Sequence, residues 1–258
     1  MQNMARCRLA RLLLPAALAV AVSAVGLGSA LLTPNEPMAA TGQEAGGGAA
    51  SGRLSEATLW DEGESPNYVR LVGPARVPED LSPGEVRYSG VDASGRAGRV
   101  EACITYEMMS EGSSRKRSSN VPDPAGWGHN ARVEVELPDG RLYHGWFWNR
   151  SHLLAKSLGG SDDAENLICG TRMQNVGAND GQGGMAMVET ACRTWLKDYP
   201  DQSIAYVATP LYRDGEVIPR SVVVDARSSD GVLDEEVEVY NCAKGFEIDY
   251  VTGSFTPA

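Results

Sequence analysis

Between Trp146 and Glu189 the chain reads WFWNRSHLLAKSLGGSDDAENLICGTRMQNVGANDGQGGMAMVE, and no other stretch constrains its fold as tightly. An apolar, aromatic strand ends in Asn149-Arg150-Ser151-His152, and a Gly- and Asp-rich crossover follows. Asn166 and then Gly170-Thr171-Arg172-Met173-Gln174-Asn175 lead into the clearest helix of the chain, Gly183 to Tyr199. There Val188, Ala191, Cys192 and Trp195 keep the i, i+3, i+4, i+7 spacing of a buried face, and Pro200 ends it. Glu189 falls at the border of that apolar stripe, beside Met185, Cys192 and Leu196. A carboxylate so placed calls for a partner. An i,i+4 ion pair with Arg193 is one answer, and a role in a site is the other.

The rest of the domain reads mostly as strand. Val133 to Leu137 alternates, Pro138-Asp139-Gly140 turns, and Leu142 to Trp148 returns as a strand expected to be well buried. Ile204 to Tyr212, Val217 to Asp225 and Val237 to Asn241 are later strands, with a turn at Asp214-Gly215 and a short strand over Phe246 to Val251. These patterns predict an α+β fold with a mixed, largely antiparallel sheet and helices. Trp127, Trp146, Trp148 and Trp195 are assigned to its core rather than to base stacking.

The amino terminus stands apart. Arg6, Arg8 and Arg11 precede a charge-free stretch from Leu12 to Leu32. That stretch is longer than the ~7–15 residues of a usual signal core, and residues 1–40 read as a cleaved export signal or a retained single-span anchor. Residues 41–76, rich in Gly, Ala, Ser, Glu and Pro, read as a flexible tether, which leaves 77–258 as one domain. Secretion or surface display follows, with membrane contact only through an uncleaved amino terminus. Cys103, Cys169, Cys192 and Cys242 lie in the exported part. Oxidation there allows up to two disulfides in three pairings, and buried free thiols are the alternative.

Charge argues against the simplest polyanion binder. The formal net charge is −11. Losing residues 1–40 removes three Arg and Glu36, leaving 20 basic against 33 acidic residues. Nucleic-acid-binding domains usually show the opposite excess. Total charge, however, sets solubility and steering, whereas chemistry depends on the local field.

The motifs themselves point past that objection. Asn149-Arg150-Ser151-His152 at a strand end, the following Asn residues and the helix with Glu189 resemble the DNA/RNA non-specific endonucleases of the ββα-metal type. The streptodornase and competence DNA-entry branch is the nearest likeness. Tyr88 to Arg96, Lys116-Arg117 ahead of Pro124-Ala-Gly-Trp127, Ser228-Ser-Asp-Gly231 and Lys244 to Gly253 also resemble that branch, in order, over about 85–256. Asn149 and Ser151 stand where the better-known motif has Asp and Gly, a variant the streptodornase-like members share.

The resemblance implies a ββα-metal finger and a sequence-non-specific nuclease acting on DNA, with RNA left open as a second substrate. His152 would be the general base, mostly neutral near pH 7. Asn175 would hold Mg²⁺, with Mn²⁺ able to substitute, since a neutral amide oxygen suits a hard cation and keeps the site electropositive. Asn166 and Glu189 match supporting positions, nine residues before and fourteen after Asn175. Arg150 and Arg172 would clamp phosphate. Arg115, Lys116 and Arg117 form a cationic loop suited to a backbone, although such runs are often only solvated. His129 and His144 read as structural.

No base-reading helix or dimer signature is present in the sequence, so a monomer is expected. Two other readings share the fold: a catalytically silent DNA binder, and a surface-anchored interaction protein. A toxin role would require an immunity partner, which nothing in the sequence specifies.

Overall fold

The computed structural model describes residues 59–116 and 118–258. Twelve strands are defined among them: β1 (Val69–Gly73), β2 (Val86–Tyr88), β3 (Val100–Thr105), β4 (Arg132–Glu136), β5 (Leu142–Trp146), β6 (Trp148–His152), β7 (Leu167–Thr171), β8 (Ser203–Leu211), β9 (Ser221–Ser228), β10 (Asp234–Tyr240), β11 (Phe246–Ile248) and β12 (Phe255–Pro257). Three α-helices accompany them: α1 (Tyr106–Ser114), α2 (Arg172–Val176) and α3 (Gly184–Asp198). The fold is α+β and largely antiparallel, as expected.

Six strands form the main sheet in the order β1-β10-β9-β8-β3-β2, each pair antiparallel. On β3, Val100, Ala102 and Ile104 face one side, as the two-residue period of a strand requires, and β9 and β10 present Val222, Val224, Val237 and Val239 to it. Met109 of α1 and Met185, Val188, Cys192 and Leu196 of α3 complete this first core. Burying each such side chain contributes roughly 1.5–3 kcal/mol. A second core gathers Tyr68, Phe147, Trp148, Cys169, Met173, Tyr240 and Tyr250, with Phe246 and Phe255 against it. Phe147 and Phe255 stack there at 3.9 Å between ring centres.

Three paired ribbons lie outside the main sheet among the described residues, β11 with β12 and two that flank the site. In the first, β4 and β5 pair around the turn at Pro138-Asp139-Gly140. In the second, β6 pairs with β7, His152 opposite Leu167 and Trp148 opposite Thr171. Strand β7 separates the two cores: Ile168 enters the first and Cys169 the second. A one-residue slip would exchange every side chain between faces, so the register of this ribbon is fixed by burial on both sides.

Several expectations are corrected. The tether does not extend to residue 76: β1 pairs with β10 at the sheet edge, and Tyr68 is buried and stacks on Trp60. Residues 41–58, like the amino-terminal signal or anchor, lie outside the described residues. Among the described residues, no helix is long and apolar enough to cross a membrane. Strand β5 is not buried; Leu142 and Trp146 are 51% and 52% exposed, and burial begins only at Phe147. The second late strand starts at Ser221, not Val217. The four cysteines are free thiols, which overturns the disulfide reading. Cys192 packs in the first core, and Cys169 and Cys242 lie at the second.

Candidate active site

A strand, a crossover, a strand and a short helix bring the site together. β6 and β7 are joined by residues 153–166, and α2 follows β7 directly. Thr171 caps α2, its hydroxyl accepting from the Gln174 amide at 3.0 Å. The unit therefore has the ββα order anticipated from the motif. It opens on a cleft of about 1270 Å³, lined by His152, Asn149, Asn175, Glu189, Arg115, Lys156, Asp162, Arg150, Arg172 and four aromatic rings.

His152 sits at the end of β6 and is largely covered. Its Nε2 lies 2.9 Å from Asp162 Oδ1. An ionised carboxylate can only accept, so Nε2 carries the hydrogen and Nδ1 the lone pair. Burial lowers the imidazole pKa below its ordinary value, helped by Lys156 and Arg115 and opposed by Asp162. Partial burial tends to raise Asp162, but the His152 bond and the two cations hold it below the usual carboxylate range. Both groups are tied to the main sheet. Tyr206 on β8 donates to the Leu153 carbonyl at 2.8 Å, and the Ser161 amide donates to the Tyr88 hydroxyl at 3.0 Å.

Asn166 holds the crossover closed. Fully buried, it accepts from the Leu154 amide at 2.8 Å and donates to the carbonyls of Leu154 and Ser161 at 2.9 and 2.8 Å. Gly160 must be glycine here, because a Cβ would stand 1.9 Å from the Leu154 carbonyl oxygen. Asn166 thus does not line the cleft; it shapes the loop that presents Lys156 and Asp162.

Asn175 lies against β6. Its Oδ1 accepts a long bond from Ser151 Oγ, 3.3 Å, and its Nδ2 faces Asn149 Oδ1 at 3.4 Å. Asn149 Nδ2 is buried without a protein partner. Weakly engaged amide oxygen and an orphaned amide nitrogen together fit a ligand-filled pocket that takes a hard cation and its anionic company. Among the described residues no group of three or more His, Cys, Asp or Glu is placed to hold a metal ion.

Glu189, on α3, makes the Arg193 ion pair at 3.7 Å and also lines the same cleft. Burial raises its pKa to about 7, against the pull of Arg193. The side chain can therefore donate as well as accept near neutral pH.

The cations are engaged at rest. Arg150 bonds Asp123 through Nε at 3.0 Å and through Nη2, and stacks 4.4 Å above Trp127. Arg172 lies 5.1 Å from the Tyr143 ring, with Nε buried and unpartnered; burial lowers its pKa. Arg115 ends α1 and donates to the Gly160 carbonyl. The Lys116 carbonyl accepts from Lys156 Nζ, while Arg117 lies outside the described residues.

Sequence reasoning passed over Asp162, Lys156 and Tyr143. A carboxylate pair ten residues past the motif histidine was the available signal for Asp162.

The profile of the DNA/RNA non-specific endonucleases matches residues 79–230. A deoxyribonuclease of Streptococcus dysgalactiae subsp. equisimilis is 34% identical over 198 residues, covering 66% of this chain and 60% of the relative. The chain thus spans less than two thirds of that protein's length. The structure of Sda1 nuclease with bound zinc ion superposes with a TM-score of 0.73 at 30% identity, covering 77% of this chain and 100% of that one. NucA from Streptococcus agalactiae with magnesium ion bound shares the fold at a TM-score of 0.57 and 18% identity, over 74% of this chain and 92% of that one.

Proposed function

The chain belongs to the DNA/RNA non-specific endonuclease family, and from that premise we propose that it is an exported or surface-held enzyme that hydrolyses phosphodiester bonds of DNA without sequence preference, with RNA open as a second substrate. One observation carries the reading: a single ββα unit presents the His152 imidazole and the Asn175 amide to one cationic cleft. Export rests on the charge-free Leu12 to Leu32 stretch behind Arg6, Arg8 and Arg11.

Asp162 fixes the Nε2–H tautomer, so His152 takes the proton of the attacking water at Nδ1. The new O–P bond forms as the bond to the leaving oxygen breaks. Arg150 and Arg172 reach phosphate oxygens and meet the charge that builds there. Asn175, backed by Asn149 and Ser151, would hold a divalent ion, with Mg²⁺ best matched to an amide oxygen and Mn²⁺ able to replace it. When bound, that ion supplies positive charge at the scissile phosphate. Glu189 and the crossover held by Asn166 keep these groups in place, and Arg115, Lys116 and Arg117 track the flanking backbone.

The test is cleavage of plasmid DNA and of RNA by the purified protein, with Mg²⁺ or with EDTA. Cleavage is expected only with the ion, and His152→Ala should lose it while remaining folded. Undiminished cutting by His152→Ala, or in EDTA, would sink the proposal.

A further inference from the structure

The hairpin of β4 and β5 forms a wall of the cleft that none of the roles above uses. Trp146, expected in the core, closes β5 with half of its surface in solvent. Arg132 stands directly opposite it on β4, and its guanidinium lies 5.7 Å from the indole ring. Directly opposed residues of an antiparallel pair share one face, so the stack is set by register.

The backbone beneath is built to hold the ring there. Tyr143 folds back along its own strand, its hydroxyl donating to the Trp146 carbonyl at 2.9 Å. Gly145 allows that path, since a Cβ would lie 2.2 Å from the Tyr143 hydroxyl oxygen. The Arg172 guanidinium lies over the Tyr143 ring. Tyr143 and Trp146 both line the cleft that holds His152 and Asn175.

A large exposed indole beside a cluster of cations requires an occupant that is flat, apolar and attached to anionic charge. A nucleobase on a phosphodiester backbone has that character, and base–aromatic stacking tolerates any sequence. Bases inside a duplex are already stacked and cannot reach the ring. We therefore propose that Trp146, with Arg132 behind it and Tyr143 below it, is a nucleobase subsite that receives one unstacked base of the strand being cut. The substrate engaged is then a single strand or a locally opened duplex; this rests on the nuclease reading and extends it.

The experiment uses the full chain, its Trp146→Ala and Trp146→Phe variants, and two short strands. One strand is single-stranded DNA; the other has the same backbone with abasic sites throughout. Trp146→Ala should raise KM on the base-bearing strand roughly tenfold with kcat little changed, as expected for loss of one stacked base. Trp146→Phe should recover most of that loss, and the abasic strand should be cut equally by all three proteins. Equal KM for wild type and Trp146→Ala on the base-bearing strand would overturn the subsite. So would an equal loss on both strands. If the wild type cuts plasmid DNA but not the base-bearing strand, the subsite is overturned; if it cuts neither plasmid nor strand, the nuclease reading fails, and stacking is read from tryptophan fluorescence instead. Quenching by the base-bearing strand that Trp146→Phe abolishes supports the subsite, and its absence overturns it.

Discussion

Two antiparallel ribbons flank the same cleft, and their surroundings are opposite. The β6–β7 ribbon is buried between two cores, with Trp148 and all of β7 sequestered from water. The β4–β5 hairpin keeps Leu142, His144 and Trp146 exposed. Strand lengths are alike and both pair by the same ladder, so hydrogen bonding does not explain the contrast. Packing on two faces holds a catalytic atom to a fixed position, whereas a ribbon packed on one face can offer surface to a substrate.

Substitutions can break that contrast, and the largest effects belong to the buried ribbon. His152→Ala should lower kcat by roughly 10²- to 10⁴-fold with an unchanged melting temperature; a small loss would remove the ribbon's catalytic role. Trp148→Ala should destabilise the fold by about 3–5 kcal/mol in a denaturant titration, because it empties the second core and strands the Gly253 carbonyl that its indole N–H now bonds at 2.9 Å.

Asp162→Asn should reduce kcat by about 10- to 100-fold with little change in KM. The same variant moves the pH profile in a definite direction. Burial already holds His152 below its ordinary pKa, so it stays neutral, and able to accept a proton, somewhat below pH 6.5. Asp162 is the group that raises it, so removing that charge should shift the acid limb of kcat to still lower pH. An upward shift would contradict the assigned pair. Linkage runs the same way for stability: the unfolded chain protonates His152 first as pH falls, so this residue's contribution declines below about pH 6.5. At the exposed ribbon, Leu142→Ser should change stability by less than about 0.5 kcal/mol.

Much of the buried ribbon was legible in the sequence. The order strand, His152, Asn166, Asn175, helix and Glu189 is a local pattern, and the chain preserves it in space. Helix α3 begins and ends within one residue of the periodic stretch that announces it. The hairpin was read less well. A run such as Leu142 to Trp148 states that its residues are apolar, not which side of a ribbon a core will cover. Trp146 and Trp148 are two apart, yet the break at Phe147 puts one in solvent and the other in the second core. Strand β1 is hidden because Val69 to Gly73 sits between Pro66 and Pro74 in polar company and its partner β10 is remote in sequence. Asp162 was hidden for the same reason, since its meaning comes only from the fold that carries it back to His152.

Arg150 rests on Asp123, Lys156 lies 3.7 Å from Asp162, and Arg193 faces Glu189. Under the proposed function, a phosphate arriving at such a surface would take part in an exchange of anions, with a carboxylate leaving as it lands. Departure is the same exchange run backwards, with the carboxylate waiting beside its cation to reclaim it. On that reading, a chain whose formal charge is −11 would not need to cling to nucleic acid in order to cut it. Its speed on long polymers would be governed by how readily each cut end is traded away.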